Sequence, residues 1–172
     1  SPEHTLARLK LTNSSITHNY PGAEKVCVVP KSTHVDDVKE AKNWCPTHKS
    51  KESIISLINT GFKHSEREWM MLVVSGCWVQ LNVNKKYSYF CKSENDIFFP
   101  VVCDYNFQGK PSKIYNNFWD CSLNGIMIHR SAYKKIGNFN EKHEMENSRL
   151  LWSAAAVHHG CTLRAVLGIK IC

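Results

Sequence analysis

No uninterrupted apolar run in the 172-residue chain approaches the roughly 18 residues of a membrane span, and the first ten residues, SPEHTLARLK, lack the apolar core of a signal peptide. These absences predict a cytoplasmic chain with no membrane span. The eight cysteines, at 27, 45, 77, 91, 103, 121, 161 and 172, never occur as C-x-x-C. None of the nine histidines pairs with another at the i, i+4 spacing of a helical zinc site, so no metal ligand set is expected. A chain of this length does not need disulfide staples, and runs such as VCVVP and VVCDY predict free thiols in apolar surroundings. Also missing is any arginine-rich stripe or nucleic-acid motif. The net charge of +7 and a pI near 9.0 favour an anionic partner, whether nucleotide, nucleic acid or membrane surface. The lysines are scattered, however, and a nucleic-acid reading would rest on charge alone.

With 42% hydrophobic and 22% charged residues, the chain can bury the core of one domain, taken here as residues 1–172. Residues 4–19 read as a helix ended by Tyr20-Pro21-Gly22, and KVCVV, residues 25–29, as a buried strand closed by Pro30. Helices are expected over 35–44 and 50–62, with a further turn before the apolar strand 69–74. Residues 78–90 fit either a strand or a helix. Strands follow over 97–103, 114–118 and 121–129, with a loop at 104–113. A short helix over 131–136, a turn at Gly137, a helix over 147–159 and a strand over 162–171 complete the pattern. Alternating elements with apolar runs predict an α/β, Rossmann-like three-layer domain with a mostly parallel central sheet. In such sheets ligands bind beyond the carboxyl ends of the strands, here the 30–33 loop and the 75–78 turn.

Three segments carry a family resemblance. SLINTGFKHSEREWMMLVVSGCWV, LNGIMIHRSAYKKIGNFNE and ENSRLLWSAAAVHHG, in this order, resemble the GT-A-fold nucleotide-sugar glycosyltransferases, the large inverting family that includes cellulose and hyaluronan synthases. In that family the first segment ends in Asp-x-Asp, the second lies on the acceptor side and the third carries the catalytic base. The resemblance implies a GT-A-like domain that transfers a sugar from a nucleotide-sugar to a glycan or protein hydroxyl. Its first strand is missing here, and a partner chain is one way to complete the sheet.

Several positions depart from the family pattern. Ser75 and Cys77 stand where the two metal-binding acids are expected, and a hydroxyl and a thiol do not replace hard anionic ligands. The resemblance therefore implies transfer without a divalent metal and without a cofactor beyond the donor. Pro30 and Lys31 replace an acidic pair near the nucleoside, and Asn147 replaces the base, leaving Glu146 first and Glu144 second as candidate catalytic bases. Lys31, Ser75, Cys77, Trp78 and Asn59 become the candidate donor-binding residues. Gly125, Arg130 and Trp119 are the acceptor-side candidates, with Lys31, Arg130 and Lys110 as cations facing a diphosphate. The same residues have ordinary explanations: acids favoured at a helix start, surface cations and packed tryptophans. Two functional readings follow, an active divergent glycosyltransferase and a GT-A-like pseudo-enzyme acting as a binding or assembly module.

Overall fold

The computed structural model describes residues 2–81, 93–100, 103–105, 111–114, 123–166 and 169–171, with side chains described within 6–78, 93–99 and 123–164. Helix α1 (Pro2–Asn19) leads through a turn at Pro21-Gly22 into β1 (Cys27–Pro30). Next come α2 (Val35–Lys42), β2 (Thr47–Ser50), α3 (Ile54–His64) and β3 (Trp69–Met71). Four short strands follow, β4 (Val79–Leu81), β5 (Asp96–Pro100), β6 (Cys103–Tyr105) and β7 (Pro111–Ile114). The last described part is β8 (Met127–His129), α4 (Arg130–Ile136), α5 (Met145–His158), β9 (Thr162–Val166) and β10 (Ile169–Ile171).

The expected mostly parallel sheet is corrected to a mixed and divided one. β1 and β2 pair in parallel, and β3-β8-β5-β9 form a separate sheet in which β8 is antiparallel to both of its neighbours while β5 and β9 are parallel. β10 pairs with β4, and β6 with β7, both antiparallel. The chain is thus α/β, with a small mixed sheet that is not clearly a GT-A sheet. Apolar runs signal burial on both faces but say little about strand direction, which explains the error.

Other boundaries also moved. The polar segment THKS is β2, so Ser50 ends a strand rather than opening a helix, and its hydroxyl bonds to the Ser56 carbonyl (3.0 Å) and the Thr60 hydroxyl (2.8 Å). Of the loop expected over 104–113, residues 104–105 and 111–113 belong to the β6-β7 pair and 106–110 lie outside the described residues, while the strand expected over 162–171 gives β9 and β10. Residues 82–90, 101–102, 115–118 and 121–122, where elements were expected, lie outside the described residues.

The core forms where the sequence periods are clearest. In α3, Ile55, Ile58 and Phe62 fall on one face and are buried, while Ser53 caps the helix by accepting from the Ser56 N–H at 3.3 Å. Each such side chain contributes about 1.5–3 kcal/mol of burial free energy. Against this face lie Ile97 and Ile128 of the mixed sheet, with Ile126, Ala132, Phe139 and Trp152. Trp152 stacks on Phe139 with ring centroids 4.5 Å apart and donates its indole N–H to the Gly137 carbonyl at 2.9 Å.

Between β1 and β3 no hydrogen-bonded strand intervenes among the described residues. The space is a groove of about 1140 Å³ walled by α1 (Leu9, Ile16), β1 (Cys27, Val28) and β3 (Met70, Met71).

Candidate functional site at the carboxyl ends of the strands

Strand direction assigns each candidate residue to one end of the fold. β3 and β5 are both antiparallel to β8, and β9 is parallel to β5, so β3, β5 and β9 run the same way. α5 turns through Gly160 directly into β9, so its amino end lies toward the carboxyl end of that strand. An ion pair between Lys51, just after β2, and Glu141, just before α5 (3.4 Å), joins the end of the β1-β2 pair to the same rim.

This rim collects most of the candidates. Lys31 follows β1 with an exposed side chain; its N–H donates to the Ser50 carbonyl at 2.9 Å, and its carbonyl accepts from Lys49 Nζ at 3.3 Å. Lys49 Nζ also donates to the Thr33 carbonyl, and the Ser32 N–H and hydroxyl both donate to Glu52 (3.0 and 2.9 Å), fixing the two strand-end loops to each other. Lys31, Lys49 and Lys51 therefore lie together at one end of the β1-β2 pair, beside Glu52 and Glu141. Exposed Ser75 and half-buried Cys77 sit in the turn after β3. Trp78, 37% exposed, follows them. Glu144 is the N-cap residue of α5 but makes no side-chain capping bond, and Glu146 lies in the first turn; both are exposed at the amino end of the helix.

Asn59 is buried, and both ends of its amide engage the backbone of Phe139. Gly125, with φ of +85°, donates its N–H to the Leu72 carbonyl and so lies beside the end of β3. Arg130 is at the opposite end of β8. Its guanidinium donates to the Arg67 carbonyl at 3.2 Å and to the Ser65 carbonyl, both ahead of β3. Gly125 bonds just after β3 and Arg130 just before it, so the two lie at opposite ends of that strand and do not share one site. Trp119 and Lys110 lie outside the described residues.

Two residues outside the sequence candidates, Thr12 and Asn124, hold the rim together. The Thr12 hydroxyl accepts from the Gly76 N–H (2.9 Å) and donates to the Cys77 carbonyl (3.0 Å), tying α1 to the turn after β3. Asn124 accepts from the Val74 N–H (2.9 Å) and donates to Cys77 Sγ (3.0 Å). Gly76, with φ of +96° and Arg8 methylenes 3.3 Å from where a Cβ would stand, was the visible sign of a close approach. Among the described residues no three His, Cys, Asp or Glu side chains are placed to hold a metal ion, and no helix is long and apolar enough to cross a membrane.

The arrangement is α/β, with a small mixed sheet. Among solved structures, the chain is similar to the bifunctional IspDF of Campylobacter jejuni, with a TM-score of 0.56 and 13% identity over 94% of this chain and 42% of that one. It is also similar to a 4-diphosphocytidyl-2C-methyl-D-erythritol synthase, with a TM-score of 0.55 and 12% identity over 94% of this chain and 80% of that one. The chain thus spans less than half the length of the bifunctional protein. No family model and no curated protein matches the sequence. At such identity the likeness shows the fold alone.

These structural neighbours overturn the glycosyltransferase resemblance and, with it, both the sugar-transfer reading and its pseudo-enzyme variant. They are nucleotidyltransferases. The three sequence segments describe strands and helix starts that an α/β fold reuses for different chemistries, so their order matched the scaffold without specifying the reaction.

Proposed function

We propose that the chain is a nucleotide-binding domain of the nucleotidyltransferase type, taking a nucleoside triphosphate at the carboxyl ends of β1, β2 and β3. The observation that carries this reading is the gathering of Lys31, Lys49 and Lys51 at one end of the β1-β2 pair, with Lys31 exposed there. Its support from comparison is a fold shared with a diphosphocytidyl-forming synthase. In open α/β sheets this is the end where ligands bind, and ammonium groups there offset the charge of a polyphosphate.

In the reaction class proposed, a phosphate oxygen of a small acceptor attacks the α-phosphorus of the triphosphate, and pyrophosphate leaves. An acceptor already carrying an oxyanion needs no general base, so positioning and charge stabilisation do most of the work. Lys31 and Lys51 are assigned to the phosphates, while Ser75 and Trp78 flank the nucleoside side. Glu144 and Glu146 are assigned to orienting the acceptor. No cofactor beyond the nucleotide is proposed, and the cytoplasm, where nucleoside triphosphates are made, is the proposed compartment.

Calorimetric titration with cytidine, uridine, adenosine and guanosine triphosphates, with and without magnesium, tests the reading. One of them is expected to saturate a single site, with affinity falling about tenfold or more in the Lys31→Ala, Lys51→Ala double variant, the equivalent of about 1.4 kcal/mol. If no triphosphate binds at millimolar concentration, the proposal is wrong.

A further inference from the structure

We propose that Cys27 and Cys45 form a redox-active dithiol that a hydroperoxide converts to a disulfide inside the groove between β1 and β3. The backbone brings the pair together. Cys27 opens β1 opposite Thr47 in the parallel register, and its N–H donates to the Pro46 carbonyl at 2.9 Å. The Thr47 hydroxyl donates to the Cys45 carbonyl at 3.0 Å, holding the Cys45-Pro46-Thr47 turn against the start of β1. The two thiols, both free, thus lie at neighbouring strand starts, one on each side of the Pro46 carbonyl that Cys27 bonds. Both are half-buried and line the groove, so a small oxidant can reach them.

The two sulfurs are not equivalent. Hydrogen bonding from Cys27 is the main influence holding the Cys45 thiol down, to about 7; burial opposes it and the charge of Lys25 assists. Lys25 is itself fixed, its Nζ donating to Asn13 Oδ1 (2.7 Å) and Thr17 Oγ1 (2.8 Å) of α1. The hydrogen bond to Cys45 and burial push the Cys27 thiol upward, so it keeps its proton at neutral pH. One member is thus a thiolate nucleophile and the other a protonated resolving thiol, the arrangement that redox-sensitive pairs need. The remaining described cysteines differ: Cys161 is buried and pushed upward by that burial, and Cys77 Sγ accepts from Asn124.

In the first step the Cys45 thiolate attacks the peroxide oxygen, the O–O bond breaks, and the departing alkoxide or hydroxide takes up a proton from solvent, leaving Cys45 as the sulfenic acid. Cys27 then attacks that sulfur. The S–S bond forms, the S–O bond breaks, and the hydroxyl leaves as water with the proton from Cys27. The two thiols lose two electrons, and the hydroperoxide is reduced to an alcohol, or to water when it is hydrogen peroxide.

The test treats the full chain with hydrogen peroxide and maps its disulfides by mass spectrometry after blocking the remaining thiols, with alkylation rates of each cysteine measured from pH 5 to 10. A Cys27–Cys45 cross-link with the loss of two hydrogens is expected, and Cys45 is expected to alkylate with a midpoint near 7. In Cys27→Ala, whose folding is checked by circular dichroism, Cys45 should remain a sulfenic acid that dimedone traps, and its alkylation midpoint should rise. If Cys27→Ala does not fold, the map of the unaltered chain decides. Free Cys27 and Cys45 after peroxide treatment, or a cross-link that consistently joins either of them to another cysteine, would overturn the proposal.

Discussion

Asn59 and Phe139, eighty positions apart, are joined by a two-way hydrogen bond: the Asn59 amide donates to the Phe139 carbonyl at 2.9 Å and accepts from its N–H at 3.0 Å. This bond holds α3 to the segment leading into α5, beneath the stacked rings of Phe139 and Trp152. Replacing Asn59 with Leu strands a buried donor and a buried acceptor at a cost of about 2–4 kcal/mol. Thermal unfolding should shift down by roughly 5–10 °C for a chain of this size. An unchanged melting temperature would show that Phe139 finds other partners.

Gly137 ends α4 with φ of +86° and ψ of −171°, a backbone region nearly closed to residues with a Cβ. Open space surrounds the position of a Cβ, so Gly137→Ala should cost about 1–3 kcal/mol through backbone strain alone. Chemical denaturation should show a lower midpoint with an unchanged slope. Because Gly137 also accepts from Trp152, near-ultraviolet circular dichroism of the indole reports any local shift.

Burial first, and then the neighbouring ring of His64 stacked at 3.7 Å, hold His48 below the ordinary histidine range. The unfolded chain therefore takes up a proton at His48 more readily than the folded one. The associated stability is complete above the ordinary histidine pKa of about 6.5 and is lost as pH falls through that value. The melting temperature should fall between pH 7.5 and 5.5, and His64→Leu should flatten that slope without abolishing it.

Arg130 and Lys51 test which end of the fold binds ligand. Arg130→Ala removes two contacts to loop carbonyls ahead of β3 and should destabilise the chain by about 1–3 kcal/mol while leaving triphosphate affinity unchanged. Lys51→Ala should do the reverse, because its exposed pair with Glu141 contributes at most about 1 kcal/mol to stability. Parallel melting and titration experiments on the two variants separate the roles.

The helices were legible wherever an apolar period met a breaker, as in α3 with Ile55, Ile58 and Phe62. β2 was not, because THKS carries no apolar run; it is a strand through its main-chain pairing with β1, which leaves no mark on side-chain composition. Cys77 and Gly125 were picked out as parts of motifs. Their neighbours Thr12 and Asn124, far away in sequence, meet them only through the tertiary fold. Arg130 follows β8 and Gly125 precedes it, so the strand between them separates the two to opposite ends. The reaction was misread because strand and turn patterns belong to a scaffold, and this scaffold is shared by enzymes of different chemistry.

The groove between β1 and β3 leaves a record in amide hydrogen exchange. β1 turns the N–H groups of Cys27 and Lys31 toward β2, so that of Val28 faces the groove. In β3, Leu72 bonds to Ile126 of the β8 segment, which turns the N–H groups of Trp69 and Met71 the other way, toward the same space. Val28, Trp69 and Met71 should therefore exchange well ahead of Val29, Met70 and Leu72, although none of the six side chains is fully exposed. This odd-even alternation, seen in the free chain, would show that two inner strands keep the solvent access of sheet edges.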